Sequence, residues 1–410
     1  VTLAARAIVI RGDAARLPLP DASADLIVCS PPYFGLRSYT DGGEHYQGQI
    51  GSEPTPAAYL EALWACTAEW MRVLKPSGSL FVNLGDKYAG GGMGGHSKGL
   101  VGTRPQGAGN SYRRISVPMP DKSLLGLPWR YAIGCMDQLG LILRAEIIWD
   151  KPNGLPESVT DRVRRSHEQV FHFTRQPRYY SAVDEVREAY DAPGATRTPG
   201  RRQLVNAGIG AITGISDAAV SMHPLGKLPG SVWTIPSAPL TVPEHLGVDH
   251  FAAYPPELVR RIILGWSPRE VCSGCGEGRR PVSDRWKIVT QHAITPSHKS
   301  SDNGRSRDFD WDRKASLATI TGYACACPDT TAPATPGLVV DPFGGTGTTA
   351  LTAAVHGRTG ITIDRSADYS RLAAWRVSDP AERARALNVP KPPPVTHGQE
   401  ALFSALEVTG

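Results

Sequence analysis

Leu338-Val339-Val340-Asp341-Pro342-Phe343-Gly344-Gly345-Thr346-Gly347-Thr348-Thr349 decides the fold. A short apolar run ends in an acid, enters a glycine-rich turn and continues into a helical pattern. Glycines permit a tight turn and close approach of backbone to a ligand. The free N–H groups of the following helix suit a carboxylate or phosphate. A second strand, Gly360–Ile363, ends in Asp364, an acid placed to accept hydrogen bonds from ribose hydroxyls. No lysine follows the glycines, so this is not the Gly-x-x-x-x-Gly-Lys-Ser/Thr phosphate cradle.

Strand and helix signals also alternate at the other end of the chain. Ala7–Ile10, Asp25–Cys29, Ser79–Leu84, Leu141–Trp149 and Glu168–Thr174 read as strands. Pro56–Leu74, Lys122–Leu139 and Tyr254–Leu264 read as helices, and Pro76-Ser77-Gly78 as a turn. Such alternation predicts a mostly parallel sheet covered by helices. Tyr88–Pro120, with Gly90–Gly95 inside it, reads as a long loop, and Gln176–Asp249 as an irregular insertion without a strong core of its own.

The 410 residues suffice for a well-buried core, and 41% apolar against 20% charged residues excludes wholesale disorder. The 43 glycines and 35 prolines predict long loops. No apolar run is long enough for a membrane-spanning helix, and the first residues lack a secretory pattern, so the expected location is the cytoplasm, with no membrane partner. The net charge of +5 permits an acidic partner without requiring one. Arginine clusters, such as Arg162, Arg164 and Arg165, and Arg305, Arg307 and Arg313, are compatible with a phosphate-facing surface.

Ser30-Pro31-Pro32-Tyr33 follows the Asp25–Cys29 strand. Together with Asp341–Thr349 it resembles the catalytic tetrapeptide and the S-adenosylmethionine loop of the amino-group DNA methyltransferases. The order, with the tetrapeptide first and the cofactor loop last, resembles their circularly permuted beta class. The resemblance covers roughly 8–175 and 248–380. It implies a Rossmann-like α/β methyltransferase fold with a mostly parallel central sheet, S-adenosylmethionine as methyl donor and duplex DNA as partner, with association with the nucleoid through that DNA. It implies cofactor contacts from Asp13, His250, Asp341, Phe343, Gly345, Gly347, Thr348, Thr349 and Asp364. Residues 1–175 would form the catalytic half and 336–385 the cofactor half. The segment 176–247 would be the target-recognition insert, and 248–270 the helix closing the cofactor pocket.

An exocyclic amine is a poor nucleophile because its lone pair is delocalised into the ring. Two acceptors aimed at its hydrogens favour a more tetrahedral nitrogen. The resemblance assigns these to the Ser30 hydroxyl and the Pro31 carbonyl, with Pro31 and Pro32 stiffening the loop and Tyr33 stacking on a base flipped out of the duplex. In the family it resembles, a leading serine goes with cytosine N4, so the resemblance implies that target. Adenine N6 is the alternative within the class, and a DNA-binding protein that has lost catalysis is the alternative outside it. A cytosine C5 enzyme would need a cysteine nucleophile beside the prolines, whereas Cys29 reads as core.

Of seven cysteines, Cys29, Cys66 and Cys135 sit in apolar surroundings. Cys272-x-x-Cys275 and Cys325-x-Cys327 are paired thiols at metal-ligand spacing, and predict a four-cysteine structural zinc knuckle within an insert over 271–335. His292 and His298, between the pairs, are substitute ligands. The basic residues of this insert, Arg279, Arg280, Arg285, Lys287 and Lys314 among them, are a second candidate for DNA contact. Residues 386–410 read as a proline-rich linker and terminal peptide, in which Gln399-Glu400-Ala401-Leu402-Phe403 resembles peptides that dock bacterial sliding clamps.

Overall fold

A computed structural model describes residues 5–36, 39–42, 44–45, 47–90, 119–154, 156–189, 223, 225–248, 253–284, 318–329 and 331–392. The chain forms two compact units. The first comprises Val1–Ala182, Gly230–Arg279 and Cys325–Gly410, and the second Val183–Pro229 and Arg280–Ala324. His250, His292, His298, Arg285, Lys287, Arg305, Arg307, Arg313, Lys314, the loop glycines 91–95 and the Gln399–Phe403 peptide lie outside the described residues. No described helix is long and apolar enough to cross a membrane.

The first unit is built on an 8-stranded sheet. Its strands in chain order are β1 (Ala7–Arg11), β2 (Ala24–Cys29), β5 (Leu74–Leu84), β6 (Ile142–Asp150), β7 (His167–Thr174), β8 (Val232–Thr234), β13 (Leu338–Asp341) and β14 (Thr359–Asp364). Numbers β3 and β4 belong to the two-residue pair Thr40–Asp41 and Glu44–His45. Across the sheet the order is β1-β14-β13-β2-β5-β7-β6-β8. Strands from β1 to β5 run parallel; β7 is antiparallel to both β5 and β6. The expected mostly parallel sheet is therefore present, with an antiparallel hairpin on one flank.

Alternation along β2 explains the two-sided core. Ile27 and Cys29 join the cluster under helix α1 (Pro56–Val73) and helix α2 (Leu127–Asp137), while Leu26 and Val28 join the cluster under helix α3 (Pro256–Trp266). Thr55 caps α1 by accepting from the Ala58 N–H at 3.1 Å. Its buried face includes Tyr59, Leu63, Cys66, Trp70 and Val73, and the Trp70 indole donates to the Ala14 carbonyl at 2.9 Å. Cys29, Cys66 and Cys135 are buried, as expected for core thiols.

Three local expectations need correction. Pro76-Ser77-Gly78 is not a turn before the strand but a bulge inside β5: Ala24 pairs with Leu74 and Leu26 with Ser79. Residues 122–126 do not begin a helix. Lys122 and Gly126 have φ of 69° each, and α2 starts only where the Asp86 carboxylate accepts the N–H groups of Gly126 and Leu127. The stretch 176–247 is not wholly outside the main core, because Val232–Thr234 is an edge strand of the sheet, with Trp233 and Ile235 buried beside α3.

The second unit contains strand β10 (Arg280–Ser283), antiparallel to β11 (Ile320–Ala324). A short 3-10 turn at Val183–Val186 is held by Arg187, which donates to Asp184 at 2.6 Å and to the Gly226 carbonyl at 3.0 Å.

Trp70→Ala empties the largest fully buried side chain of the core and breaks its tie to Ala14. The expected loss is about 3–5 kcal/mol of unfolding free energy, read as a lower midpoint in urea titration.

Candidate active site

Parallel strands end at a common edge of the sheet, and the chemistry-bearing residues gather there. Ser30 follows β2, Asp341 ends β13, Asp364 ends β14 and Asp13 lies just beyond β1. Arg11 pairs with Asp364, and Gly12 donates to the Asp364 carbonyl at 2.9 Å, so Asp13 and Asp364 stand on adjacent strand ends. The registers Val340↔Ile27 and Val340↔Ile361 set the two sequence motifs on neighbouring strands. Carboxyl ends of parallel strands are where open α/β sheets bind ligands.

The glycine loop is shaped by what it touches. A side chain on Gly344 would put its Cβ 1.6 Å from Thr362 Oγ1, so only glycine fits. Gly347, at φ of 76°, caps helix α4 (Thr348–Val355) in the left-handed region. Asp364 holds the loop by accepting from the Gly345 N–H and the Ser366 N–H, each at 2.9 Å. Helix α5 (Ala367–Ser378) supplies the buried Arg376, which donates to Thr346 Oγ1 at 2.7 Å and Thr348 Oγ1 at 2.6 Å and pairs with Glu382 at 2.7 Å. The Thr348 hydroxyl is thus committed to the scaffold. Phe343 packs edge-on against Trp70, with ring centres 5.8 Å apart.

Asp341 is buried at the head of the loop. One carboxylate oxygen accepts from Tyr254 Oη at 2.7 Å and Thr349 Oγ1 at 2.6 Å, and the other from the Phe343 N–H at 3.1 Å. Burial nevertheless pushes its pKa up to about 6. Tyr254 lies in the segment leading into α3, so this carboxylate fastens that segment to the loop. Cys29 is fully buried beside it, and burial first, the Asp341 charge second, push the thiol far above its ordinary range. Such a thiol is no nucleophile.

Around the tetrapeptide the structure assembles a polar network. Tyr33 Oη donates to Glu168 Oε2 at 2.7 Å and receives the Ser30 hydroxyl at 3.3 Å. The Asn83 side-chain amide donates to Tyr33 Oη at 2.9 Å and to Glu168 Oε2 at 2.8 Å, and lies 3.4 Å from Ser30 Oγ. Lys151 forms an ion pair with Glu168 Oε1, and its ammonium sits 4.0 Å from the centre of the Trp149 ring. Burial, and then the Glu168 charge, hold the Tyr33 phenol protonated. Its ring lies against Gly85, where an added Cβ would come within 2.6 Å. Tyr59 Oη donates to the Pro32 carbonyl at 2.9 Å and fixes the turn. Asn83 Oδ1 is buried without a partner among the described residues, and Asn83 lines a cavity of about 10 Å³ together with Cys29 and Tyr254.

Reasoning from sequence missed Asn83, Lys151, Glu168 and Tyr254 as site residues. Two carried a signal: Asn83 is a lone amide inside the apolar run Leu80–Leu84, and Glu168 is an acid at the head of an apolar strand.

A second cluster lies at the strand pair β9 (Glu270–Cys272) and β12 (Ala334–Pro336). The sulfurs of Cys272, Cys275 and Cys325 lie within 4.8 Å of one another. Cys327 is near: a Cβ built on Gly274 would be 3.6 Å from its sulfur and 3.8 Å from that of Cys272. Backbone N–H groups of Cys275 and Gly274 directed at the Cys272 sulfur lower its pKa to about 6. Three gathered thiols, a fourth close by and one biased toward thiolate fit the donor set of a structural zinc ion.

Comparison with known proteins gives the family of the chain. A family model described as DNA methylase, of the N6/N4 type, matches residues 24–271. The type II methyltransferase M.XycI of Xanthomonas campestris pv. cyanopsidis is 34% identical over 245 residues, covering 60% of this chain and 67% of that protein. M.Cfr9I of Citrobacter freundii is 34% identical over 253 residues, with the same two coverages of 60% and 67%. M.SmaI of Serratia marcescens is 39% identical over 173 residues, 41% of this chain and 55% of that one. Among solved structures, the PvuII DNA methyltransferase (cytosine-N4-specific) has a similar fold, with a TM-score of 0.51 at 16% identity over 94% of this chain and 95% of that one.

Because the Asp341 pKa is raised in the folded state, the protein favours its protonated form. The stability this contributes is full below the unfolded value of 3.8 and is lost as pH rises through about 6. Asp341→Asn should flatten the dependence of melting temperature on pH across that window.

Proposed function

Because the chain belongs to the N6/N4-type DNA methylase family, we propose that this DNA methyltransferase moves the methyl group of S-adenosylmethionine to N4 of a cytosine flipped out of duplex DNA. The observation that carries the reading is the Ser30-Pro31-Pro32-Tyr33 turn standing one strand from the Asp341–Thr349 loop. M.PvuII, whose fold is similar, carries the description cytosine-N4-specific in its own name.

Asp13, Phe343, Gly345, Gly347 and Asp364 would hold the donor, with Asp341, Thr348 and Thr349 fixing the loop behind them and His250 added from the resemblance. The Gly344 cradle and the strand-end acids fit a ribose-bearing group. Bound there, S-adenosylmethionine supplies an electrophilic methyl on a positive sulfur, so the chain need furnish neither a metal nor a covalent nucleophile for the transfer. The chain's own task is orientation. Ser30 Oγ and the Pro31 carbonyl accept the two amine hydrogens and draw the nitrogen toward tetrahedral geometry. The tetrapeptide is stiffened by its prolines and by Tyr59, so these dipoles are already aimed when the base arrives. Tyr33 presents a ring for the base, its lower side resting on Gly85. Clustered arginines would hold the DNA backbone.

Cys272, Cys275, Cys325 and Cys327 would close a structural zinc site. It would join the two ends of the intervening segment 276–324, which in sequence carries many basic residues.

Methylation of unmodified duplex DNA with labelled donor, followed by nucleoside mass spectrometry, should yield N4-methylcytosine. N6-methyladenine would overturn the choice of base. Ser30→Ala should lower kcat/KM by at least about 100-fold. Metal analysis should find zinc in the purified protein, and the paired change Cys272→Ser with Cys325→Ser should release it and lower the melting temperature.

A further inference from the structure

We propose that Tyr33 and Glu168 form a proton relay leading inward from Ser30, with the Glu168 carboxylate as the final acceptor of the proton that the target amine sheds on methylation. The inference rests on the amine-methylation reading above.

The direction of each hydrogen bond carries the case. Tyr33 has one hydroxyl hydrogen, and the 2.7 Å contact commits it to Glu168 Oε2. The Tyr33 oxygen can then only accept, and it accepts from Ser30 at 3.3 Å and from Asn83 at 2.9 Å. The Ser30 hydrogen is thereby turned into the protein, and of its two lone pairs one faces the Asn83 amide at 3.4 Å and the other is left for the amine. A free serine hydroxyl could rotate and present its hydrogen instead. The other polar neighbour of Ser30, the Asn83 amide, is a donor that takes up no proton, so the route to a carboxylate runs through Tyr33. Among the described residues, the charged or titratable groups facing Glu168 are Lys151, from the turn after β6, and Tyr33; Asn83 from β5 and Ser30 are neutral.

The step balances. The N–CH3 bond forms as the S–CH3 bond breaks, and sulfur keeps the bonding pair. The nitrogen, now positively charged, gives a proton to Ser30 Oγ. Ser30 gives its own hydrogen to Tyr33 Oη, and Tyr33 gives its hydrogen to Glu168 Oε2. Ser30 and Tyr33 end neutral with one hydrogen each, and Glu168 ends protonated until solvent reclaims the proton.

Single-turnover methylation, read beside donor and DNA affinities, tests this. Glu168→Gln is isosteric and takes up no proton. It should slow the chemical step about 100-fold, with donor and DNA affinities within about twofold of the parent. Tyr33→Phe should give the same effect, the double variant should be no slower than either single, and Glu168→Asp should regain part of the rate. A Glu168→Gln rate within about threefold of the parent, or a Glu168→Asp rate no higher than that of Glu168→Gln, overturns the relay. Equal loss of rate and affinity also overturns it, since that marks a scaffold role. If the parent protein binds donor and DNA but yields no methylated nucleoside, the amine-methylation reading fails and the relay falls with it; if the parent methylates, only the relay is at stake.

Discussion

A buried carboxylate organises the glycine-loop side of this protein. Asp341 is held in the core at the junction of β13, the glycine loop and the approach to α3, and each of its oxygens is occupied. Removing a carboxylate from water is costly unless donors surround it. Tyr254, Thr349 and the Phe343 N–H supply them, and in doing so fix three separate chain segments at one point. The loop cannot drift from the strand end without exposing or orphaning that group. Arg376 works in the same way from beneath, because its guanidinium is satisfied only if Thr346, Thr348 and Glu382 keep their places.

How much of this was legible in the sequence depends on the range of each signal. The strand–loop–helix around Gly344 is local, and its twelve residues read as what they are. The Ser30–Tyr33 turn is local too, and β-strand periodicity placed both motifs on parallel strands. The Tyr33–Glu168 contact joins positions far apart in sequence, through a strand that is antiparallel to its neighbour. Nothing in either local pattern announces the other. Lys151 read as an ordinary residue after a strand, and only the hairpin of β6 with β7 brings it to Glu168. The misplaced start of α2 has a similar origin: Asp86, distant in sequence, sets where the helix begins.

The same contrast separates the two ligand-related clusters. Short-spaced cysteines announce themselves, and Cys272, Cys275 and Cys325 are found together. Their gathering depends on β9 pairing with β12, a contact the spacing alone did not reveal. At the tetrapeptide the reverse holds. The motif singled out the Ser30 hydroxyl, but its orientation is governed by Asn83 and by the Tyr33–Glu168 pair behind it, groups whose importance is geometric rather than compositional.

The pairing of β1 with β14 sets a clock on synthesis. Ala7 bonds opposite Gly360, and Leu26 of the central β2 opposite Val339. At about 5–20 residues per second, a ribosome would need about 20–70 s between making the first partner and the last. Throughout that interval one edge of β2 and both edges of β1 carry unpaired backbone groups, the usual template for misassociation between chains. The nascent protein therefore passes through a stage in which its Ser30–Tyr33 turn has been made and its Asp341–Thr349 loop has not.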